Sequence, residues 1–135
     1  MYKNILVPIA FDHEHDRSES LELAKKLAAP DAKITLLHVV EVIPAYAVSY
    51  LSEDFLKSTR VALVEEMNKL ATKLPGSVGK VVDGHSGRTI LDYAEADETD
   101  LIIIASHRPE MSDYFLGSTA ARVVRHATCA VHVLR

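Results

Sequence analysis

Apolar residues form five short runs along the chain, separated by segments in which apolar residues recur every three or four positions. The strongest runs are nearly continuous and do not alternate with polar residues. That pattern is typical of strands covered on both faces, as in a parallel sheet. The runs occupy residues 5–9, 33–42 and 77–82, then Leu101–Ala105 and Ala130–Leu134.

Amphipathic helices are predicted between these runs. Pro75 and Gly76 mark the end of the longest helix, because neither residue continues a helix well. Strands that alternate with helices, joined by right-handed crossovers, predict an open α/β fold with five parallel strands and helices on both faces. The chain has no repeat or linker composition, so residues 1–135 are predicted to form one domain. The helices carry these apolar positions: Leu21, Ala24, Leu27, Ala28; Leu56, Leu63, Met67, Leu70, Leu74; Ile90, Leu91, Ala94; Ala120, Val123, Val124, Ala127.

Two connections are unusually long. Residues 41–54 are rich in apolar and aromatic side chains, which indicates an irregular excursion that serves as a lid or an oligomer contact. Residues 108–116 join the fourth strand to the fourth helix and exceed the usual ~2–6 residues of such loops. Ligands of open α/β sheets bind at the carboxyl ends of the strands, where the second connection begins.

Composition and charge exclude several classes of protein. The 135 residues include 15 basic and 19 acidic side chains, a net charge of −4, without the basic excess of a nucleic-acid binder. No apolar stretch approaches the ~20 residues that span a bilayer, so membrane insertion is not expected. The amino terminus lacks the layout of a signal peptide. One cysteine excludes an intrachain disulfide framework, which together with these features predicts a soluble protein of the cytoplasm.

The segment after the fourth strand has the features of an anion site. A helix is predicted to start at Gly117-Ser118-Thr119, and free N–H groups and the helix dipole at such a start attract anions. Gly117 would let a phosphate approach the backbone, the two hydroxyls would donate hydrogen bonds, and Arg108 would add a charge-assisted bond. The same residues are equally consistent with an ordinary helix cap, so both interpretations stay open.

Seven histidines raise the possibility of a metal site. His13 and His15 stand among acidic residues in FDHEHD, yet no further ligand can be paired with them, and a solvated loop is favoured over a metal site. His38 is interpreted as a satisfied core residue, and His126 and His132 as packing or subunit contacts.

Cys129 and Ser86 offer no clear nucleophile. Cys129 follows a helix end, where the dipole raises a thiol pKa, and is interpreted as a buried structural thiol. Ser86 lies in Gly84-His85-Ser86-Gly87, which lacks the spacing of a nucleophile elbow and instead indicates a cap of the third helix near the ligand crevice. The chain also lacks a GxxxxGK[ST] phosphate-binding loop.

Several of these motifs together resemble the universal stress protein family. The resemblance rests on ILVPIA near the start, LLHVVEV in the second strand, and ASHR, LGST and VVRHATCAVHVL in the last third. The resemblance covers essentially the whole chain, and the sequence of the last third is similar to that of the F/G-type branch. It implies a Rossmann-like sheet of the adenine nucleotide alpha hydrolase type, in a protein of the stress response that binds ATP and acts as a regulatory module.

The resemblance also implies where a nucleotide would bind. Pro8 and Ile9 would line the adenine side, next to Ala10, and the backbone of Val39 would face the base. The ligand would be ATP, or AMP or ADP, with Mg carried through the phosphates. Ribose and phosphates would contact the segment Ala105, Ser106, His107 and Arg108 and the helix start Gly117, Ser118 and Thr119.

Three departures from the family pattern bear on this site. Ala10 stands where the pattern has an Asp that bonds the ribose, and Asp12 is a candidate substitute. Ala105 and Arg108 replace the first two motif glycines, and the spacing to Gly117 is one residue shorter. The F/G-type branch shares the last two changes, which favours a variant site in which Arg108 neutralises phosphate charge.

Three functions remain as hypotheses. The first is the nucleotide-binding regulatory module, and the second is a dimeric scaffold of A-type behaviour that binds no nucleotide. The third is a slow ATP hydrolase, for which Glu110 and Asp113 are loop carboxylates without fixed roles, so an enzyme is not predicted. A homodimer through the strand Ala130–Leu134 is expected, extended to a tetramer by loops, with a protein partner that the sequence does not identify.

Overall fold

The computed structural model describes residues 1–11, 14–106 and 116–135, with the side chains of all of these except residues 14–16. Strands and helices alternate along most of the chain. In chain order the elements are β1 (Tyr2–Pro8), α1 (Glu14–Leu27), β2 (Ala28–Val40), α2 (Ala45–Val48), α3 (Glu53–Thr72), β3 (Ser77–Asp83), α4 (Ser86–Ala96), β4 (Leu101–Ala105), α5 (Ser118–His126) and β5 (Ala130–Leu134).

The strands form one parallel sheet in the order β3-β2-β1-β4-β5. The chain first builds outward from β1 to β2 and β3, then crosses back to β4 and continues to β5. The direction of winding therefore reverses between β1 and β4, and in open α/β sheets this reversal leaves a crevice at the carboxyl ends of the two strands. The predicted fold of five parallel strands is confirmed.

Helices cover both faces of the sheet and define two cores. Side chains of β1 alternate between them, with Ile5 and Val7 on the face covered by α1 and α3, and Leu6 on the face covered by α4 and α5. The strands β1 and β4 are buried on both faces, which explains why their sequences are continuous apolar runs. Each core therefore includes the middle of the sheet.

The start of β2 differs from the sequence prediction. Ala28 was expected to end the first helix and the strand to begin at Lys33, but β2 begins at Ala28, directly after Leu27. The reason is tertiary, because Ala28 pairs with Tyr2 of β1 and Pro30 cannot extend a helix. Asp31 adopts a φ of 62°, and this left-handed residue lies in the part of β2 where the pairing with β1 is irregular.

The long connection at residues 41–54 contains a short helix that periodicity did not reveal. α2 spans Ala45–Val48, and Ser52 then caps α3 by accepting a hydrogen bond from the N–H of Phe55 at 3.0 Å. Tyr46 and Tyr50 are 78% and 87% exposed, so the segment does not belong to either core. None of the helices in the described ranges is both long and apolar enough to cross a membrane.

A polar network closes the amino end of the sheet. Asp100, just before β4, accepts hydrogen bonds from the backbone N–H groups of Lys3 at 2.8 Å and Asn4 at 2.9 Å, and its own N–H donates to the Asn4 carbonyl at 2.9 Å. The Asn4 side chain donates to the carbonyl of Asp97, whose carboxylate also pairs with Lys33 at 2.5 Å. These bonds fix β4 beside β1 at the end opposite the crevice.

Candidate functional site

The crevice begins where β1 and β4 end. Backbone pairing continues one residue past each strand, because the N–H of Ile9 donates to the carbonyl of Leu37 at 2.8 Å and that of Ser106 donates to Leu134 at 2.7 Å. Ile9 and Ser106 are 5% and 2% exposed. The side chain of Ile9 packs in the core under α1 and α3.

His38, in β2, holds the end of β1. Its Nδ1 lies 2.8 Å from the carbonyl oxygen of Ile9 and must donate there, which leaves Nε2 as the acceptor in the neutral ring. Phe11 packs against the ring with 4.8 Å between centroids, and the guanidinium carbon of Arg17 lies 5.4 Å from the centroid of Phe11. His38 has a hydrogen-bond partner, as the sequence interpretation expected, but its ring is half-buried and lies in neither core, and its contact with Phe11 was not foreseen.

The amino terminus of α5 lies on the other side of the crevice from the end of β1. Gly117 is the N-cap, its N–H donates to the Ser106 carbonyl at 2.5 Å, and its carbonyl accepts from Ala121 at 2.8 Å. Gly117 has no side chain, so the N-cap residue itself does not bond the first-turn N–H groups of this helix. The first-turn N–H groups and the helix dipole therefore favour an anion at this end of α5.

A pair of hydroxyls joins α5 to α4. Ser86 Oγ and Thr119 Oγ1 lie 2.7 Å apart, although 33 residues separate them in the sequence. Ser86 is the first residue of α4, after the N-cap His85, and its backbone N–H donates to Glu41 Oε1 at 3.2 Å. The Glu41 carboxylate thus accepts a hydrogen bond at the amino terminus of α4. Among the described residues, no carboxylate takes this place at the amino terminus of α5.

The predicted site residues that the structure describes all lie at the carboxyl edge of the sheet. Pro8 ends β1, Ala105 ends β4, and Val39 lies one residue before the end of β2, partly buried under α4 and α5. Ala10 is exposed just beyond β1. The edge is completed by Ile9, Gly117, Ser118 and Thr119. The predictions for His107, Arg108, Asp12, Glu110 and Asp113 fall outside the described residues.

Metal ligands do not cluster in the described ranges. Residues 1–11, 14–106 and 116–135 contain no group of three or more His, Cys, Asp or Glu side chains able to hold a metal ion. The metal site considered at His13 and His15 would use side chains that lie outside the described ones. His126 and His132 are both exposed.

Cys129 lies between α5 and β5 and packs against the core under α4 and α5, half-buried. Burial raises the pKa of its thiol, the negative charge of Asp100 raises it further, and a backbone hydrogen bond acts in the opposite direction. The sequence interpretation expected a raised pKa from the helix end, but desolvation is the main cause. A neutral, partly shielded thiol is a poor nucleophile.

The Cys129 thiol is expected to react slowly with an alkylating reagent at pH 8, because its thiolate fraction is lower than that of an open cysteine. The pH midpoint of the reaction rate should lie higher in the native protein than in the same protein unfolded in denaturant. Mass spectrometry at timed intervals would measure both rates. Equal midpoints in the two states would contradict the shielding of this thiol.

The fold and the crevice define a class of protein: a single Rossmann-like domain with an anion-favouring helix start at its winding reversal. The comparison with protein families then gives the family. The universal stress protein family matches residues 1–135, and the chain belongs to that family.

Two curated relatives match over essentially the full length. Universal stress protein A homolog 2 of Coxiella burnetii is 32% identical, with 99% of this chain and 95% of the relative covered. Universal stress protein G of Salmonella typhimurium is 28% identical, with both chains fully covered. The relatives thus bear both A-type and G-type names.

Solved structures share the fold. The universal stress protein UspA from Lactobacillus plantarum is 29% identical with a TM-score of 0.71, covering 99% of this chain and 98% of that one. A universal stress protein solved in complex with cAMP has a TM-score of 0.70 at 16% identity, covering 99% and 97%. An Arabidopsis thaliana member of the family solved with AMP bound has a TM-score of 0.64 at 18% identity, covering 98% and 90%.

Proposed function

We propose that this protein is an adenine-nucleotide-binding regulator of a cytoplasmic stress response. The observation that carries the proposal is the uncapped amino terminus of α5, which lies beside the winding reversal between β1 and β4. A phosphate needs donors without a negative side chain among them, and this helix start supplies such donors. The relatives solved with cAMP and AMP support an adenine nucleotide as the ligand.

The base is proposed to lie over the ends of β1 and β2. Pro8 and Val39 would give it apolar contact, and the backbone of Val39 would face its edge, because both backbone groups of Ile9 already have partners. The hydrogen bond from His38 to the Ile9 carbonyl stiffens this side of the crevice. Ala10 has only a methyl group, so the ribose would receive no hydrogen bond from that side chain.

The phosphates are proposed to contact Ala105, Gly117, Ser118 and Thr119, with His107 and Arg108 as further ligands. The net charge of −4 does not attract an anion to the protein as a whole, so binding must depend on these local donors. Mg²⁺ would be carried by the phosphate oxygens and water, since the described residues contain no metal-ligating cluster. ATP is the proposed ligand, and ADP and AMP would share the same contacts for base and first phosphate.

The residues proposed at the carboxyl edge of the sheet fit a regulatory role better than a catalytic one. Nucleotide would favour one conformation or assembly through its differential affinity, and a protein partner would recognise that state. The exposed Ala10 favours one other candidate, a scaffold that binds no nucleotide, because the ribose contact of the family pattern is missing there. Slow ATP hydrolysis is a third candidate.

Nucleotide release and melting experiments separate these functions. Purified protein would be denatured and its supernatant analysed for adenine nucleotides, and Tm would then be followed during titration with ATP, ADP, AMP and adenosine. Ligand at about 100 times its Kd should add about 2.7 kcal/mol to the free energy of unfolding. No released nucleotide and no rise in Tm would favour the scaffold. Labelled ATP would measure hydrolysis above background.

A homodimer through β5 is also proposed, with a tetramer as a further assembly. β5 pairs with β4 on one side, and within the described ranges no strand pairs with its other side. The Leu134 carbonyl faces β4, where it accepts from Ser106, so the backbone groups of Val133, one residue earlier, face outward. An outward row of unpaired backbone groups on an apolar strand favours pairing with a second copy.

Val133→Pro is expected to convert the dimer to a monomer, because it removes an outward N–H from the proposed interface. Val133→Ala is the matched control, since it loses similar packing but keeps that N–H. Size-exclusion chromatography with light scattering, with and without ATP, would give the mass of each variant. A monomeric wild-type protein, or a dimeric Val133→Pro, would refute pairing through β5.

A further inference from the structure

A polar cleft separate from the crevice lies between α1 and α3. Its volume is about 120 Å³, and its apolar floor is made by Leu21 and Leu70, which belong to the core under these helices. The polar residues around it come from the first half of α1 and the end of α3: Arg17, Ser18, Glu66, Lys69 and Lys73.

The cleft has an excess of positive charge. Among the described side chains that line the cleft, the three cations of Arg17, Lys69 and Lys73 outnumber the one carboxylate, that of Glu66. Lys69 Nζ lies 3.8 Å from Glu66 Oε1, which leaves Arg17 and Lys73 without an ion-pair partner in the described part of the chain. In a chain with a net charge of −4, such a local excess favours a small anion at this place.

Arg17 provides a second, independent observation. Its Nη1 is buried and has no hydrogen-bond partner among the described residues. A buried donor without an acceptor is unfavourable, and more so when the group is charged. The guanidinium also lies over Phe11, with 5.4 Å from its central carbon to the ring centroid, so its plane is supported on one side. Arg17 also lines the cleft, so an acceptor bound there would lie beside its guanidinium.

We propose that this cleft binds a small phosphate anion, either inorganic phosphate or the phosphate group of a small monoester. Arg17 would supply the planar pair of donors that suits phosphate oxygens, Lys73 a second charge and Ser18 a hydroxyl. The cleft volume of about 120 Å³ lies below the ~300 Å³ at which pockets for drug-sized ligands begin, which favours a small anion over a nucleotide.

A titration of ¹⁵N-labelled protein with inorganic phosphate, at constant ionic strength, would test this site. The amides of Leu21 and Leu70 report on the cleft, and those of Ser118 and Thr119 report separately on the crevice. We expect saturable shifts at the cleft amides. Arg17→Gln and Lys73→Gln should each weaken that binding about five-fold or more, as loss of a charge-assisted contact predicts.

Lys57→Gln is the matched control, because it removes the same charge from the exposed first half of α3, away from the cleft. The exposed Lys73 variant should fold normally and so keeps the test valid if Arg17→Gln does not fold. Absence of saturable shifts at the cleft, or equal weakening by Lys57→Gln and Lys73→Gln, would overturn the proposal. A titration with glycerol phosphate would distinguish the two ligand sources. Binding as tight as that of inorganic phosphate would indicate a site for a phosphate monoester, and weaker binding would indicate a site for inorganic phosphate.

Discussion

Replacing Gly117 by Asp is expected to abolish adenine-nucleotide binding while leaving the protein folded. Gly117 is the N-cap of α5 with φ −57° and ψ 156°, a conformation open to any L residue. Asp is among the preferred N-cap residues, because its carboxylate accepts from the first-turn N–H groups. The same carboxylate would occupy the donors proposed for the phosphates and repel them.

Calorimetric titration of wild type and two variants would measure this effect. Gly117→Ser is the matched control, because a serine caps the helix without adding a charge. The Asp variant should bind ATP about ten-fold more weakly or worse, which corresponds to a loss of ~1.4 kcal/mol or more. The Ser variant should lose less affinity than the Asp variant, because its hydroxyl caps the helix without repelling phosphate, and neither variant should melt at a lower temperature. Unchanged ATP affinity in Gly117→Asp would rule out the start of α5 as the phosphate site.

Replacing Gly79 by Ala is expected to lower the free energy of unfolding by about 2 kcal/mol, within the range found for overpacked cores. Gly79 lies in β3 directly under α3, where an added Cβ would come within 2.8 Å of the Met67 carbonyl oxygen and 2.9 Å of its carbonyl carbon. These are backbone atoms of a helix, so α3 or β3 must move. The lower entropy of Ala in the unfolded chain offsets part of this cost.

Urea unfolding of Gly79→Ala and of Lys80→Ala would measure the difference. Lys80 is the next residue of β3 and is exposed, so its replacement should change the free energy of unfolding by less than about 0.5 kcal/mol. Similar values for the two variants would show that β3 and α3 adjust easily. A larger loss for Gly79→Ala would confirm that the close approach of helix and strand is what requires glycine.

The sequence predicted the strands well where burial on both faces produced continuous apolar runs. Leu101–Ala105 is such a strand and matches its predicted bounds, and the edge strand Ala130–Leu134 also matches, although its residues are exposed or only partly buried. The prediction was wrong at Ala28, whose conformation is decided by pairing with Tyr2, a contact across the sheet that leaves no local pattern. α2 was missed for another reason, since a helix of four residues is too short to show periodicity.

The candidate site was predictable to the extent that it lies in one stretch of chain. Gly117 and Ser118 were singled out because a glycine followed by hydroxyl residues before an apolar repeat indicates a helix start. The hydrogen bond between Ser86 and Thr119, like the contact of His38 with Phe11, joins residues from different elements. Such contacts depend on strand order and helix packing, which a single sequence does not specify.

The polar network around Asp100 has a consequence for where the protein can open. Its bonds tie β4 to β1 at the amino edge, so the amides of Asn4 and Asp100 should exchange with solvent more slowly than amides without a hydrogen bond. At the opposite edge the Ser86–Thr119 hydroxyl pair joins the starts of α4 and α5 above the core that these helices share. The bonds of Asp100 act on the strands themselves, so substitutions at the carboxyl edge should disturb the pairing of β1 with β4 less than a substitution of Asp100 does.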